Sequence, residues 1–224
     1  MAANKPTSKT GRRYSGREHK ERAAQRKQLL IDAGIQVIGT DGYHATTVRK
    51  LCAEAGLTAR YYYESFSSTE ELLIACFDQC MGRISQELLN TALSSRAALP
   101  ELVHILLDVF FQQMEDKRVA RLVMLEVLGV SQGVDKYSNK KLENLGGLIL
   151  KLGERYHPNW KIEERQGALL GVTLLGAMRQ AALFWVSTDY EMERNEVVAT
   201  SAMIVLGLLK VIEEQSPIDS NAEA

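Results

Sequence analysis

An arginine followed by three tyrosines is the run of the 224-residue chain with the clearest chemistry. Arg60 precedes Tyr61, Tyr62 and Tyr63. An arginine guanidinium can hold O6 and N7 of guanine in the major groove, and exposed tyrosines can reach bases or phosphates. Three successive side chains on a helix cannot share one face. We therefore expect Tyr62 to point inward, and Tyr61 and Tyr63 to point toward DNA.

Two short helices joined by a glycine turn would present this run. Thr47 is a good N-cap for the first helix, Ala55-Gly56-Leu57 supplies the turn, and Thr58 begins the second helix. Ser68 and Glu71 have the spacing of a capping box, which predicts the start of a further helix. In a helix-turn-helix the second helix brings its N-terminal residues to base edges in the major groove. The pattern therefore predicts a DNA-reading unit.

Charge is divided unevenly along the chain. Residues 1–66 carry 12 Lys and Arg against 6 Asp and Glu, whereas residues 67–224 carry 15 against 22. A basic end beside an acidic body indicates that only one end meets a polyanion. Residues 1–17, which include Arg12 and Arg13, have no apolar face and are predicted to form a flexible basic arm. A solvated tail that only aids solubility is the alternative for this segment.

Composition restricts the class of protein. The chain is 46% hydrophobic and 25% charged, and it shows helical periodicity without extended alternation, which predicts a globular all-α fold. Three cysteines without a CxxC motif argue against a disulfide framework or a thiolate zinc site. The uncharged apolar stretches Gln166–Met178 and Val197–Leu209 have 13 residues each, short of the roughly 20 that cross a bilayer. We expect a cytoplasmic protein with neither a membrane partner nor a cofactor or metal.

A longer stretch, Leu30–Leu73, resembles the DNA-binding domain of the tetracycline-repressor (TetR) family. The motifs that carry the resemblance are Gly42-Tyr43, Thr46-Thr47-Val48, Ala55-Gly56, Tyr63-x-x-Phe66 and Glu70-x-Leu72. The stretch that contains these motifs covers about a fifth of the chain. The resemblance implies an N-terminal three-helix head with a helix-turn-helix, followed by a larger C-terminal helical body that binds a ligand and dimerises.

The resemblance also assigns roles within the head. It places Thr47 and Tyr63 on phosphate-contacting positions. The base-reading positions are Thr58, Ala59, Arg60 and Tyr61. Thr69 stands where the family often has a phosphate-clamping lysine, so that contact is expected to be weakened or replaced, with the basic arm as a substitute. Helix capping alone is the alternative role for Thr47 and Thr58, and aromatic packing is the alternative for Tyr63.

The body is predicted to hold a dimer interface and a pocket. The two last helices are apolar and rich in small residues, which would allow two copies to form a four-helix bundle. The predicted divisions are arm 1–17, head 18–66, body 67–216 and polar tail 217–224. Apolar side chains at helical spacing between about 98 and 156 are typical of a core, but in this family that region encloses a small apolar effector. The predicted ligand residues are His104, Phe110, Met114, Arg121, Met124 and Glu126.

These features predict a ligand-responsive repressor that acts as a homodimer on a near-palindromic, double-stranded operator. One alternative is a di-iron-type helical-bundle enzyme that uses Glu101 with His104 and Glu154 with His157. Each of these pairs lies beside a proline at a helix end, which disfavours a site in a bundle core. The other alternative is a constitutive DNA-binding or protein-interaction module.

Overall fold

The computed structural model describes residues 10–156 and 162–215, with side chains for 19–156 and 162–214. Within those ranges the regular secondary structure is helical, which confirms the all-α prediction. The elements are α1 (Thr10–Asp41), α2 (Val48–Ala55), α3 (Ala59–Ser65), α4 (Thr69–Ser94), α5 (Leu99–Met114), α6 (Lys117–Arg121), a π-helical segment (Leu122–Glu126), α7 (Gln132–Tyr156), α8 (Glu164–Ser187) and α9 (Arg194–Gln215). Two compact units, Met1–Cys76 and Phe77–Ala224, divide the chain within α4.

The first unit is organised by α1, which packs against both helices of the helix-turn-helix. The Lys50 amide donates a hydrogen bond to the Thr47 hydroxyl at 3.3 Å, and this cap begins α2. The helix ends at Gly56, whose φ of 64° lies in the left-handed region that glycine adopts without strain. Leu51 and Tyr62 are fully buried. The two short helices are therefore held in fixed orientations on α1.

The first unit extends beyond residue 66, where the sequence predicted its end. Leu72 and Cys76, in the first turns of α4, are fully buried. The Cys76 thiol donates a hydrogen bond to the Ile31 carbonyl oxygen of α1 at 3.4 Å. Because these turns complete the core of the first unit, the division falls at Cys76.

The N-terminal arm is partly helical. Helix α1 begins at Thr10, so the backbone of residues 10–17 is helical where a flexible arm was predicted. Once a helix has formed, each added residue gains a backbone hydrogen bond, and no proline interrupts this stretch. Residues 1–9 and the predicted polar tail at 217–224 lie outside the described residues.

In the second unit, α7 and α8 approach closely at a pair of glycines. A Cβ added to Gly146 would lie 2.8 Å from the backbone of Gly171, and a Cβ on Gly171 would lie equally close to Gly146. Farther along the same contact, a Cβ on Gly167 would touch Leu150 at 3.4 Å. These two contacts fix an antiparallel register, because the residue number rises from 146 to 150 along α7 while it falls from 171 to 167 along α8.

Helices α8 and α9 carry large apolar side chains on their exposed surfaces. These are Leu169, Val172, Phe184, Met203, Ile204 and Val211. By length and composition alone both helices could cross a membrane, a test that core helices of soluble proteins also pass. Both helices are longer than the 13-residue uncharged stretches in their sequences. Helix α8 continues through Arg179, and α9 continues through Lys210.

Candidate DNA interface and ligand cavity

The N-terminal turn of α3 is open to solvent. Thr58, Ala59 and Arg60 are exposed, and the Arg60 side chain is 84% exposed. Tyr63 is 64% exposed and Tyr62 is fully buried, as the helical spacing predicted. This surface is therefore free to meet a macromolecule.

Tyr62 anchors the rotation of α3. Its hydroxyl donates to the Ser68 carbonyl oxygen at 3.0 Å, and its ring packs at 6.0 Å from the Phe66 ring. Burial raises the pKa of Tyr62 to about 12, so the hydroxyl stays protonated and keeps this bond. Tyr63 lies edge-on to Tyr62 with centroids 5.4 Å apart. Because Tyr62 is fixed inward, Tyr63 is directed outward.

A carboxylate on α3 orients the arginine that was predicted to read a base. Arg60 Nε donates to Glu64 Oε1 at 3.0 Å, one helical turn away. Glu64 also lies 3.8 Å from Arg26 Nη2 of α1, and the Arg26 guanidinium carbon is 4.4 Å from the centroid of the Tyr61 ring. Tyr61 is consequently half-buried and less available than predicted. Glu64 occupies Nε of Arg60 and leaves the two terminal nitrogens of that side chain for a partner. Glu64 was not among the residues predicted for this surface.

The three predicted DNA-contacting threonines differ in their local roles. The Thr47 hydroxyl caps α2, as predicted. Thr58 stands at the N-cap position of α3, but its hydroxyl makes no capping hydrogen bond, so the capping prediction was wrong for this side chain. Thr69 Oγ1 lies 3.2 Å from the Tyr43 hydroxyl. Where the family often has a lysine, this chain has a hydroxyl that contacts its own head.

The capping box at the start of α4 is formed with a shift of one residue. The Glu71 amide donates to Ser68 Oγ at 3.1 Å, as predicted. The Glu71 carboxylate accepts from the amide and hydroxyl of Ser67 at 2.7 and 2.8 Å instead of reaching Ser68. These two hydrogen bonds lower the pKa of Glu71. The predicted contacts of Arg12 and Arg13 lie outside the described side chains.

The second unit contains a cavity of about 400 Å³. Side chains from α4, α5, the π-helical segment and α7 to α9 line it, and they are predominantly apolar. Phe110 and Met124, two of the predicted ligand residues, are among them. A volume of this size is typical of a small-molecule site.

The other four predicted ligand residues do not line this cavity. His104 is exposed, because the face of α5 that meets the cavity runs through Val103, Leu107 and Phe110. Met114 is fully buried elsewhere in the core, and its carbonyl oxygen accepts a hydrogen bond from the Tyr190 hydroxyl. Arg121 and Glu126 pair with each other across the π-helical segment, where Arg121 Nε donates a hydrogen bond to Glu126 Oε1 at 2.7 Å. Helical periodicity identified apolar positions without identifying which face of each helix meets the cavity.

The charged side chains in the described lining of the cavity are all positively charged. Among the described residues that line it, Lys151, Arg155 and Arg179 are charged and none is acidic. Arg179 Nη2 donates to the carbonyl oxygen of Met124 at 2.6 Å. None of the three was predicted, since no local sequence motif relates α7 and α8 to the π-helical segment.

The proposed di-iron pairs do not converge. Glu101, His104 and Glu154 are exposed, and His157 lies outside the described residues. Within the described part of the chain, no group of three or more His, Cys, Asp or Glu side chains is placed to hold a metal ion. A carboxylate-bridged site needs inward-facing ligands from several helices, so this geometry does not support that alternative.

An exposed helix-turn-helix head followed by a helical body with its own cavity defines a DNA-binding transcriptional regulator. Residues 30–76 match the family model for bacterial regulatory proteins of the tetR family. Residues 30–76 therefore resemble the DNA-binding domain of that family, as the motifs predicted.

Relatives and solved structures extend the similarity over most of the chain. The fatty acid metabolism regulator of Bacillus subtilis (strain 168) is 24% identical over 184 residues, which cover 79% of this chain and 90% of that protein. The regulator BetI of Rhizobium meliloti (strain 1021) is 31% identical over 87 residues, 39% of this chain and 42% of BetI. The FadR structure of Bacillus halodurans has a TM-score of 0.69 at 25% identity and covers 81% of this chain and 95% of FadR. The B. subtilis FadR complex with stearoyl-CoA shares the fold, with a TM-score of 0.68 at 21% identity and coverage of 80% and 96%. These relatives are regulators and not enzymes, in agreement with the sequence prediction.

Proposed function

We propose that the protein is a cytoplasmic, homodimeric repressor that binds a near-palindromic operator and releases it when a ligand fills the cavity. The observation that carries this proposal is the solvent-exposed start of α3, with Arg60 84% exposed at the recognition position of a helix-turn-helix. The second helix of such a unit enters the major groove, and arginine is the commonest specific partner of guanine.

The remaining contacts follow from the surface of the head. Thr58 and Ala59 are exposed beside Arg60 and would face base edges, while Tyr61 contributes its free ring edge. Thr47 and Tyr63 are exposed at positions suited to phosphate. Thr69 would contribute weakly, since its hydroxyl already contacts Tyr43. The basic N-terminal residues Arg12 and Arg13 would supply further phosphate contacts.

The exposed apolar faces of α8 and α9 support a homodimer. Leu169 is 69% exposed on α8, and Met203 is 73% exposed on α9. Large exposed apolar patches often mark interfaces in soluble proteins, so these side chains favour an interface with a second copy. Packing α8 and α9 against their copies would form a four-helix bundle and place two α3 helices one turn of DNA apart, about 34–36 Å. The operator would then be a near-palindrome.

The cavity supports an effector with a long apolar chain and an anionic group. Its lining is predominantly apolar, and its charged members are all cations. B. subtilis FadR, which has the same fold, has been solved in complex with stearoyl-CoA, and this supports the proposed effector class. The effector would shift the protein toward a conformation with lower operator affinity, by as much as its affinities for the two conformations differ.

Selection of duplexes from a random pool, followed by fluorescence anisotropy with the selected duplex, tests the proposal. We expect affinity to fall steeply with salt, because bound phosphates release counterions. Arg60→Ala should lower affinity by about 1–3 kcal/mol and relax the preference at one base pair per half-site. Arg96→Ala, an exposed arginine of the second unit, is the matched control.

Stearoyl-CoA is then added to the protein–operator complex. The expected result is release of the operator and a higher apparent dissociation constant. Enrichment of no duplex at low salt would contradict the DNA-binding proposal. Tight binding that ignores a panel of long-chain acyl compounds would instead support the constitutive module and contradict the proposed effector class.

A further inference from the structure

Arg179 lines an apolar cavity and has no carboxylate partner among the residues that the structure describes. Its side chain is half-buried, and within the described chain its hydrogen bonding consists of the 2.6 Å bond from Nη2 to the Met124 carbonyl oxygen. A guanidinium has five N–H donors, so this bond leaves most of them available. A cation removed from water is costly unless it is paired. The geometry therefore leaves a place for an anion next to Arg179.

The sign of the cavity charge opposes the sign of the surrounding body. Residues 67–224 carry 22 acidic side chains against 15 basic ones, yet the charged residues of the described cavity lining are three cations. Charged side chains taken at random from residues 67–224 would include more carboxylates than cations. The bias toward cations indicates a ligand with negative charge.

The cations lie at two opposite ends of the cavity. In the antiparallel register of α7 and α8, Arg179 lies beyond the Gly146–Gly171 crossing in one direction, and Lys151 and Arg155 lie beyond it in the other. At 1.5 Å per helical residue, the two ends are about 20 Å apart along the helices. The apolar side chains between them would accommodate an extended hydrocarbon chain.

The two ends differ in their surroundings. Lys151 and Arg155 are exposed near the C-terminus of α7, where cations commonly balance the helix dipole and remain solvated. Arg179 is half-buried, and an ion pair gains more where water is partly excluded. Arg179 is thus the better receptor for the anionic group.

We propose that Arg179 binds the anionic group of the effector, with the hydrocarbon chain extending toward the Lys151 and Arg155 end. This assignment rests on the proposed ligand-responsive function and specifies its binding site. A fatty acid carboxylate and the phosphates of an acyl-CoA share the required chemistry. A carboxylate or phosphate binds a guanidinium through two nitrogens at once, and both fork arrangements include Nη2, so in either case the ligand competes with the Met124 carbonyl oxygen for that nitrogen.

This competition gives the site a direct route to the backbone. Met124 lies in the π-helical segment Leu122–Glu126, between α6 and α7. Such segments are rare and occur frequently at functional sites. An anion that takes the Arg179 donors deprives the Met124 carbonyl oxygen of its side-chain partner. Ligand occupancy therefore alters the hydrogen bonding of the π-helical segment.

The test measures binding of stearate, stearoyl-CoA and stearyl alcohol to the full-length protein by calorimetry. Arg179→Gln should weaken stearate binding about tenfold or more, as expected for loss of a charged hydrogen bond, and should change alcohol binding little. Arg179→Lys keeps the charge and should retain part of the affinity. Arg165→Gln, an exposed arginine at the start of α8 outside the cavity lining, is the control. Comparison of stearate with stearoyl-CoA identifies the source of the anion.

The double variant Lys151→Gln, Arg155→Gln tests the opposite end. A loss of anion affinity there, with Arg179→Gln unaffected, would overturn the assignment while leaving the effector class intact. Failure of the wild-type protein to bind any of the three probes would instead refute the proposed effector class.

Hydrogen exchange on wild-type protein needs no variant and covers the case in which Arg179→Gln does not fold. Stearate, but not stearyl alcohol, should change exchange of the amides at 122–128. Equal responses to both probes, or none, would contradict the competition for Arg179.

Discussion

The two units differ in the sequence range of the hydrogen bonds that shape the helix-turn-helix in one and join distant helices in the other. In the first unit, bonds that shape the helix-turn-helix join residues three to six positions apart. These are Thr47 with Lys50, Ser67 with Glu71, and Tyr62 with Ser68. In the second unit, comparable side-chain bonds span 55 to 86 positions. These are Arg179 with Met124, Tyr190 with Met114, and Arg194 with Asp108.

The difference in range separates a surface that is set locally from a cavity that is assembled globally. Local caps and turns fix the orientation of α3 with few neighbours. The cavity instead depends on helices brought together from distant parts of the chain, which costs more loop-closure entropy. A substitution in the first unit should therefore change either stability or DNA binding. A substitution in the second unit should change stability and ligand binding together.

Two adjacent tyrosines test this separation most strongly. Tyr62→Ala removes a fully buried ring and its hydroxyl bond, and should destabilise the protein by about 3–5 kcal/mol. Tyr63→Ala removes a ring that is 64% exposed, and should change stability by no more than about 0.5 kcal/mol while weakening operator binding. Urea unfolding and anisotropy measure the two effects. Similar losses of stability in both variants would contradict the assigned orientation.

Two adjacent glycines provide the matching test in the second unit. Gly146→Ala places a Cβ 2.8 Å from the backbone of Gly171, and should cost about 1–3 kcal/mol because α7 and α8 must separate. Gly147 has no neighbour within 4 Å of an added Cβ, so Gly147→Ala should be neutral or stabilising by up to about 1 kcal/mol. Urea unfolding distinguishes them. We also expect weaker acyl binding in the first variant alone, because the same helices line the cavity.

Glu64→Gln sharpens the assignment of the recognition surface. Glu64 holds Arg60 Nε and carries a charge that repels phosphate. Its neutralisation should raise affinity for an unrelated duplex and reduce discrimination by the operator severalfold. Glu54→Gln removes another exposed negative charge, from α2 of the same unit, and is the control. If both variants change discrimination equally, net charge and not Arg60 orientation is responsible.

The smallest effect is a pH dependence at the start of α4. Hydrogen bonds from Ser67 lower the folded-state pKa of Glu71 below its ordinary 4.5. The resulting stabilisation is fully present above the ordinary pKa and is lost as pH falls through the lowered value. The free energy of unfolding should thus differ between wild type and Glu71→Gln at pH 7, and the difference should narrow below about pH 4.5. A constant difference across that range would show that the carboxylate charge is not involved.

The sequence predicted the first unit well because its determinants are short-range. The Thr47 cap, the Gly56 turn and the inward orientation of Tyr62 all follow from residue type and helical spacing. The errors there concern side chains with several possible partners. Thr58 makes no capping bond, and the Glu71 carboxylate accepts hydrogen bonds from Ser67 instead of Ser68.

The cavity could be predicted only in part. Apolar periodicity selected Phe110 and Met124, and both line the cavity. It also selected Met114, which belongs to another part of the core. Arg179 could not be found this way, because its position relative to Met124 depends on how α8 packs against a segment 55 residues earlier. Periodicity defines the faces of a helix but does not identify the neighbour of each face.

The aromatic cluster around Trp185 offers an optical probe of one unit alone. Trp185 is nearly fully buried and lies edge-on to Phe111 and Tyr190, with centroids 5.8 and 4.7 Å away. The first unit contains five of the eight tyrosines and neither tryptophan. Tryptophan fluorescence, excited at a wavelength that only indole absorbs, therefore reports the melting of the second unit, whereas circular dichroism reports the loss of helix in both units. Divergence of the two melting curves would reveal that the units unfold separately.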